Sequence, residues 1–165
     1  MQKKLSKLAK TLVITLLLIS VWSTQVVAAS PDTMSPEVVD LDATIYEYTN
    51  ESGISTYATI FQDASITITY HSSVGMEVVI LTYVNGTASV VGVKDIKIQA
   101  KSGNSWVTVA TSAGGEVTNA RGMGCEVTYA GAIEGVTYRV VCTHYANYEG
   151  YRELYHESVG MVCEY

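Results

Sequence analysis

Ser65-Ile66-Thr67-Ile68-Thr69-Tyr70 alternates without a break: Ile66, Ile68 and Tyr70 fall on one face, Thr67 and Thr69 on the other. A period of two over six residues is the signature of a strand with one buried face. The neighbouring segments repeat it. Downstream, Met76–Val84 reads as a second strand, closed by the turn dipeptide Asn85-Gly86. Ser89–Ala100 follows, with Ile96 and Ile98 set against Lys97 and Gln99, and Ser102-Gly103-Asn104 turns the chain into Trp106-Val107-Thr108-Val109. Ala113–Met123 is Gly-rich and reads as irregular. Cys125–Tyr129, Tyr138–Thr143 and Val159–Tyr165 complete the strands on that side. Upstream, Ile45–Tyr48 and Ser55–Phe61 are β-rich and separated by Asn50-Glu51-Ser52-Gly53. Helical potential is confined to short stretches, mainly Tyr148–His156. Seven to nine short strands with turn signals every 8–12 residues predict an all-β fold, an antiparallel β-sandwich, without the amphipathic crossover helices that a parallel sheet needs.

The first 29 residues read differently. Lys3, Lys4, Lys7 and Lys10 precede an apolar run from Leu12 to Trp22, and Val27-Ala28-Ala29 closes it with small residues. This is the layout of a secretory signal peptide, and the apolar run is short for a membrane span of about 20 residues. The expected organisation is a signal peptide over 1–29, an extended arm over 30–40 containing Pro31 and Pro36, and one domain over 41–165. The mature protein is expected to be secreted, with no membrane insertion once the leader is cleaved.

The 165-residue chain has 10 Lys and Arg against 16 Asp and Glu. Four of the bases lie in the leader and no acid does, so the mature chain carries six bases against sixteen acids. So acidic a chain repels nucleic acid and anionic lipid, which excludes both as main partners. Eight acids and no base lie between Ser30 and Val93. No Gly-punctuated acidic loop with calcium-ligand spacing occurs among them, so they read as a solvated surface.

Gly135-Val136-Thr137-Tyr138-Arg139-Val140 resembles the turn, tyrosine and alternating strand that open strand F of fibronectin type III and immunoglobulin-like domains. Trp106 after Ser102-Gly103-Asn104 resembles the Trp on the neighbouring hairpin, and Asn147 with Gly150 the polar F–G turn. The likeness covers about half of the mature chain, and it departs from the pattern at Ala132-Ile133 and at Glu134, where no proline stands. The overall layout is also similar to small secreted proteins of Gram-positive bacteria. The resemblance implies a sandwich in which Trp106 and Tyr138 are structural. The ring of Tyr138 would be buried and its hydroxyl bonded to the preceding crossover.

Cys125, Cys142 and Cys163 all share faces with apolar neighbours and are expected to point inward. An odd count allows at most one internal bridge. Cys125–Cys142 and Cys142–Cys163 would each stabilise by about 3 kcal/mol, so loop length does not choose between them. Cys125–Cys142 is the favoured pairing, and three reduced thiols acting as small hydrophobes is the other reading. His71, His144 and His156 lack ligand spacing such as H-E-x-x-H. Three ordinary surface or edge histidines are expected rather than a zinc site built from His144, His156 and a nearby Glu. No metal and no cofactor are called for. There is no Gly-x-Ser-x-Gly elbow and no phosphate-cradling glycine loop, so the chain does not read as an enzyme.

His144–His156 holds Tyr145, Tyr148, Tyr151 and Tyr155 together with Asn147 and Gly150. Tyr with Asn and Gly is the composition of loops that bind through rigid aromatic contacts and adaptable hydrogen bonds, and tyrosine faces stack on sugar rings. The candidate binding residues are His144, Tyr145, Asn147, Tyr148, Tyr151 and Tyr155; the competing reading has the tyrosines packing across strands. The expected function is non-catalytic binding of an extracellular protein or glycan. The alternatives are a self-associating structural protein and a small hydrolase using paired carboxylates.

Overall fold

The computed structural model describes residues 37–48 and 60–164. The signal peptide expected over 1–29, most of the arm, and the turn and strand start read at 50–59 lie outside the described residues.

Every regular element among the described residues is a strand: β1 (Val39–Asp40), β2 (Thr44–Glu47), β3 (Phe61–His71), β4 (Gly75–Ser102), β5 (Ser105–Tyr129), β6 (Thr137–Asn147), β7 (Tyr151–Glu157) and β8 (Met161–Val162). No helix among them is long and apolar enough to cross a membrane. The stretch expected to be helical, Tyr148–His156, holds β7, whose Tyr151, Glu153, Tyr155 and Glu157 alternate at the strand period.

The frame is a ribbon of two long strands. β4 has 28 residues and β5 has 25, and they pair antiparallel from Ser102↔Ser105 at the turn to Met76↔Tyr129 at the far end. The ribbon passes through two pairing zones. In the first, β3 pairs with the early half of β4 and β2 with the late half of β5. In the second, β6 pairs with the late half of β4, β7 and β8 join β6, and β1 joins β5. The β1–β5 pair, Val39↔Ala110 and Asp40↔Thr111, is parallel, so the sheet is mixed rather than purely antiparallel. The expectation of uniformly short strands also fails, because segments read as four strands are two.

The difference lies at Asn85-Gly86. This dipeptide was expected to reverse the chain, yet β4 runs straight through it. The register instead slips between Tyr83 and Ala88, while β5 opposite contains Asn119 at φ 53°. Extra residues on one strand make a bulge that bends the ribbon where it changes zone. Gly86 is needed there for room, since a Cβ would come within 2.6 Å of the Tyr148 ring. The Gly-rich segment read as irregular, Ala113–Met123, is likewise strand.

One hydrophobic core joins the zones: Met76, Val78, Ile80 and Val84 from the first meet Val91, Val93, Ile96, Ile98 and Val140 from the second. Along β6, Tyr138, Val140, Cys142, His144 and Ala146 all turn into it, as the alternation requires. Cys125, Cys142 and Cys163 are buried and all three are free thiols, so the Cys125–Cys142 bridge is not formed in this structure. Burial pushes the Cys125 thiol up to about 11 and the Cys142 thiol up to about 12, which keeps both protonated and unreactive at neutral pH.

Tyr138 is buried and its hydroxyl oxygen accepts the Ile133 N–H at 3.0 Å, fixing the crossover that leads into β6. Burial raises its phenol pKa, so the hydroxyl stays neutral. Tyr138→Phe would leave that N–H without its partner, and denaturant melting should register a loss of about 1 kcal/mol; an unchanged midpoint would show that the bond holds nothing. Trp106 lies half-buried at the Lys101↔Trp106 pair, with the Arg139 guanidinium 4.7 Å from its ring centroid.

Candidate functional site

The alternation that sends His144 inward sends Arg139, Thr143 and Tyr145 outward, so the second zone has an outer face with its own composition. From β7 it receives Tyr151, Glu153, Tyr155 and Glu157, which stand opposite Asn147, Tyr145, Thr143 and Val141. From β4 it receives Lys94, Lys97 and Gln99, and from β5 Trp106, Thr108 and Glu116. Four of the six bases in 30–165 (Lys94, Lys97, Lys101 and Arg139) sit on paired positions of this face, among its aromatic rings.

Tyr145 is its centre. It pairs directly with Gly92, and its ring lies where a Cβ on residue 92 would be. A ring laid over a strand glycine covers backbone that no side chain shields. Its hydroxyl donates to Glu116 Oε2 at 2.8 Å, its ring centroid is 6.1 Å from that of Tyr151, and Lys94 Nζ stands 5.7 Å from the ring. Glu153 ties the group together, because its Oε1 accepts from both Lys94 Nζ and the Tyr151 hydroxyl. These bonds lower the Glu153 carboxyl pKa, with Lys94 the larger cause, and raise those of Lys94 and Tyr151. Burial, then the bond to Glu116, raises the Tyr145 phenol. At neutral pH the carboxylate is therefore charged and both hydroxyls protonated, so each ring is oriented by a charge-assisted bond. A second such group lies further along the face: Tyr155 donates to Glu157 Oε1 at 2.7 Å, and Arg139 bonds Glu157 Oε2 at 2.8 Å and Gln99 Oε1 at 2.8 Å.

The six candidate residues divide. Tyr145, Tyr151 and Tyr155 share the outer face, and Tyr151 and Tyr155 are 50% and 61% exposed. Asn147 closes the same row at the β6–β7 turn, where its carbonyl accepts from Ser89 Oγ. Tyr148 does not join them, because its ring packs on the core beside Gly86. His144 is on the opposite side altogether, fully buried, where it cannot touch a surface ligand. The inward face read for Tyr138, Val140 and Cys142 extends by two residues to His144, and that parity was the available signal.

The expectation of three ordinary surface histidines thus fails for His144. Its Nδ1 is 2.7 Å from Thr82 Oγ1 and its Nε2 is 3.2 Å from His156 Nδ1 and 3.6 Å from Cys142 Sγ. Of the nearby carboxylates Glu149, Glu153 and Glu157, the last two are turned away and project from the other side of β7. Among the described residues no group of three His, Cys, Asp or Glu side chains is arranged to hold a metal ion.

Comparison with protein-family models, with curated proteins and with solved structures found no match in any of the three.

Proposed function

We propose that this is a secreted binding module whose outer β4–β7 face takes an extracellular glycan. The observation that carries the reading is the oriented pair of Tyr145 and Tyr151, laid over Gly92 and bordered by Lys94, Glu116 and Glu153. Flat aromatic rings offer the apolar face of a pyranose a stacking surface, while fixed carboxylate and ammonium groups at the rim serve its hydroxyls. Little entropy is lost on binding, because the rings are already held. The leader-like start of the sequence supports an extracellular setting. In this reading the two pairing zones face each other as the layers of a sandwich, an arrangement supported by their common core and by the Thr82–His144 contact that reaches from one to the other.

The test is a glycan-binding panel with the secreted protein and two variants. Tyr145→Ala/Tyr151→Ala should weaken the saturable ligand at least about tenfold, the loss typical of a central contact. Gly92→Val, which removes no aromatic residue but drives the Tyr145 ring off its seat, should do the same. Equal binding by both folded variants and by wild type would place the site elsewhere.

A further inference from the structure

β7 is an edge strand whose side chains are mostly exposed. Of its seven side chains His156 alone is half-buried and the other six are exposed. It stands directly opposite Cys142 and its Nδ1 meets the Nε2 of the fully buried His144 at 3.2 Å. His144 is held in turn by Thr82 Oγ1 at 2.7 Å, from the other pairing zone. Among the described residues, the polar tie recorded between the inward side of β7 and the core is thus a contact between two imidazole nitrogens. Such a contact holds one proton: one nitrogen donates and the other accepts. With both rings protonated, two N–H groups would point at each other, with a charge enclosed in the core.

We propose that β7 is an acid-released strand, latched to the core through the proton shared by His144 and His156 and freed when both rings are protonated. The groups facing the pair are few. Thr82 on β4 and Cys142 on β6 are neutral contacts of His144, and Cys125 on β5 lies behind Cys142. Asp63 on β3 is the one carboxylate that favours the charged form of His156, and because it does so in the docked state it opposes release. Burial, and then the neighbouring His156, lowers His144 from the ordinary 6.5 to about 4, and burial lowers His156. The sign follows. Above pH 6.5 the rings are neutral whether β7 is docked or free, and the latch is at full strength. Below it the freed state takes up protons that the docked state refuses, until about pH 4. Each proton so coupled shifts the docked-to-free ratio about tenfold per pH unit.

The latch stands whatever the outer face binds. If that face binds as proposed, release of β7 carries Tyr151 and Tyr155 away from Tyr145, and ligand is let go in acid.

The experiment is an NMR titration of the secreted protein from pH 7.5 to 4. It follows the histidine ring signals and the amides of 151–157 against those of β4 and β5. The β7 amides should change together with the His144 and His156 rings while the β4–β5 ribbon keeps its signals. In His156→Gln, which cannot charge, the β7 amides should stay put over the same range. In Asp63→Asn release should move to higher pH, because the docked His156 then has no carboxylate to favour its charge, and this variant carries the test if His156→Gln does not fold. Ring titration without any change in β7, loss of β7 and the ribbon at one pH, or unaltered release in both variants would each overturn the proposal. None of these readouts depends on a ligand, so failure of the latch and failure of the binding site are separately visible.

Discussion

Ile80→Ala should cost the fold about 2–5 kcal/mol, measured as a shift in denaturant midpoint at unchanged slope. Ile80 is fully buried at the middle of the early half of β4, paired with Ile66 on one side and Cys125 on the other. Removing its outer carbons forfeits their transfer from water and leaves a void. The surrounding strands are pinned on both edges by ladder hydrogen bonds and have little freedom to collapse into it. Ile133→Ala is the control: Ile133 is 63% exposed, and its replacement should move stability by no more than about 0.5 kcal/mol. Equal effects at the two positions would mean that the core is not where the structure places it.

Gly114→Ala should be comparably severe although it adds one carbon. Gly114 faces Lys94 in the ribbon at φ 75°, and a Cβ there would overlap the Val93 carbonyl oxygen. Two penalties combine. A left-handed conformation costs a non-glycine residue about 1–2 kcal/mol, and the clash is with backbone, which cannot rotate away as a side chain can. The expected loss is about 3 kcal/mol or more, read from the same melts. Gly103→Ala makes a useful comparison: its φ is 57° but no atom lies near the added carbon. It should show the conformational penalty alone. A Gly114→Ala protein no less stable than Gly103→Ala would remove the steric part of the argument.

What could be read from the sequence was whatever a strand declares by itself. The alternation of Ser65–Tyr70 and of Tyr138–Cys142 survives in the structure because a buried face fixes it, and it needs no knowledge of the partner strand. The misreading at Asn85-Gly86 is of another kind. The dipeptide is a strong local turn signal, but Gly86 serves the Tyr148 ring, 62 residues later, and no local pattern contains that fact. The parallel pairing of Val39–Asp40 rests on two residues, too few to have a period. In the candidate site the tyrosines were conspicuous by composition. Their sorting was not, because Tyr145 and Tyr148 sit three residues apart across the end of β6, where alternation gives way to a turn. Glu116 and Lys94, which orient the rings, come from β5 and β4 and had no mark in the Tyr-rich segment.

The long ribbon also bears on the order in which the molecule assembles. Only two residues separate Ser102 from Ser105, so closing the first pair of the β4–β5 ladder loses little chain entropy. Each further pair extends a hairpin already begun. The ribbon can therefore grow outward from Gly103-Asn104, through the bend at 85–87, before any distant segment arrives. β3 and β6 then find a template on which half of their hydrogen-bonding partners are in place. β7 comes last by this logic, since it has no edge to join until β6 has docked. The strand that carries Tyr151 and Tyr155 is thus the natural last step of assembly and the first to reverse.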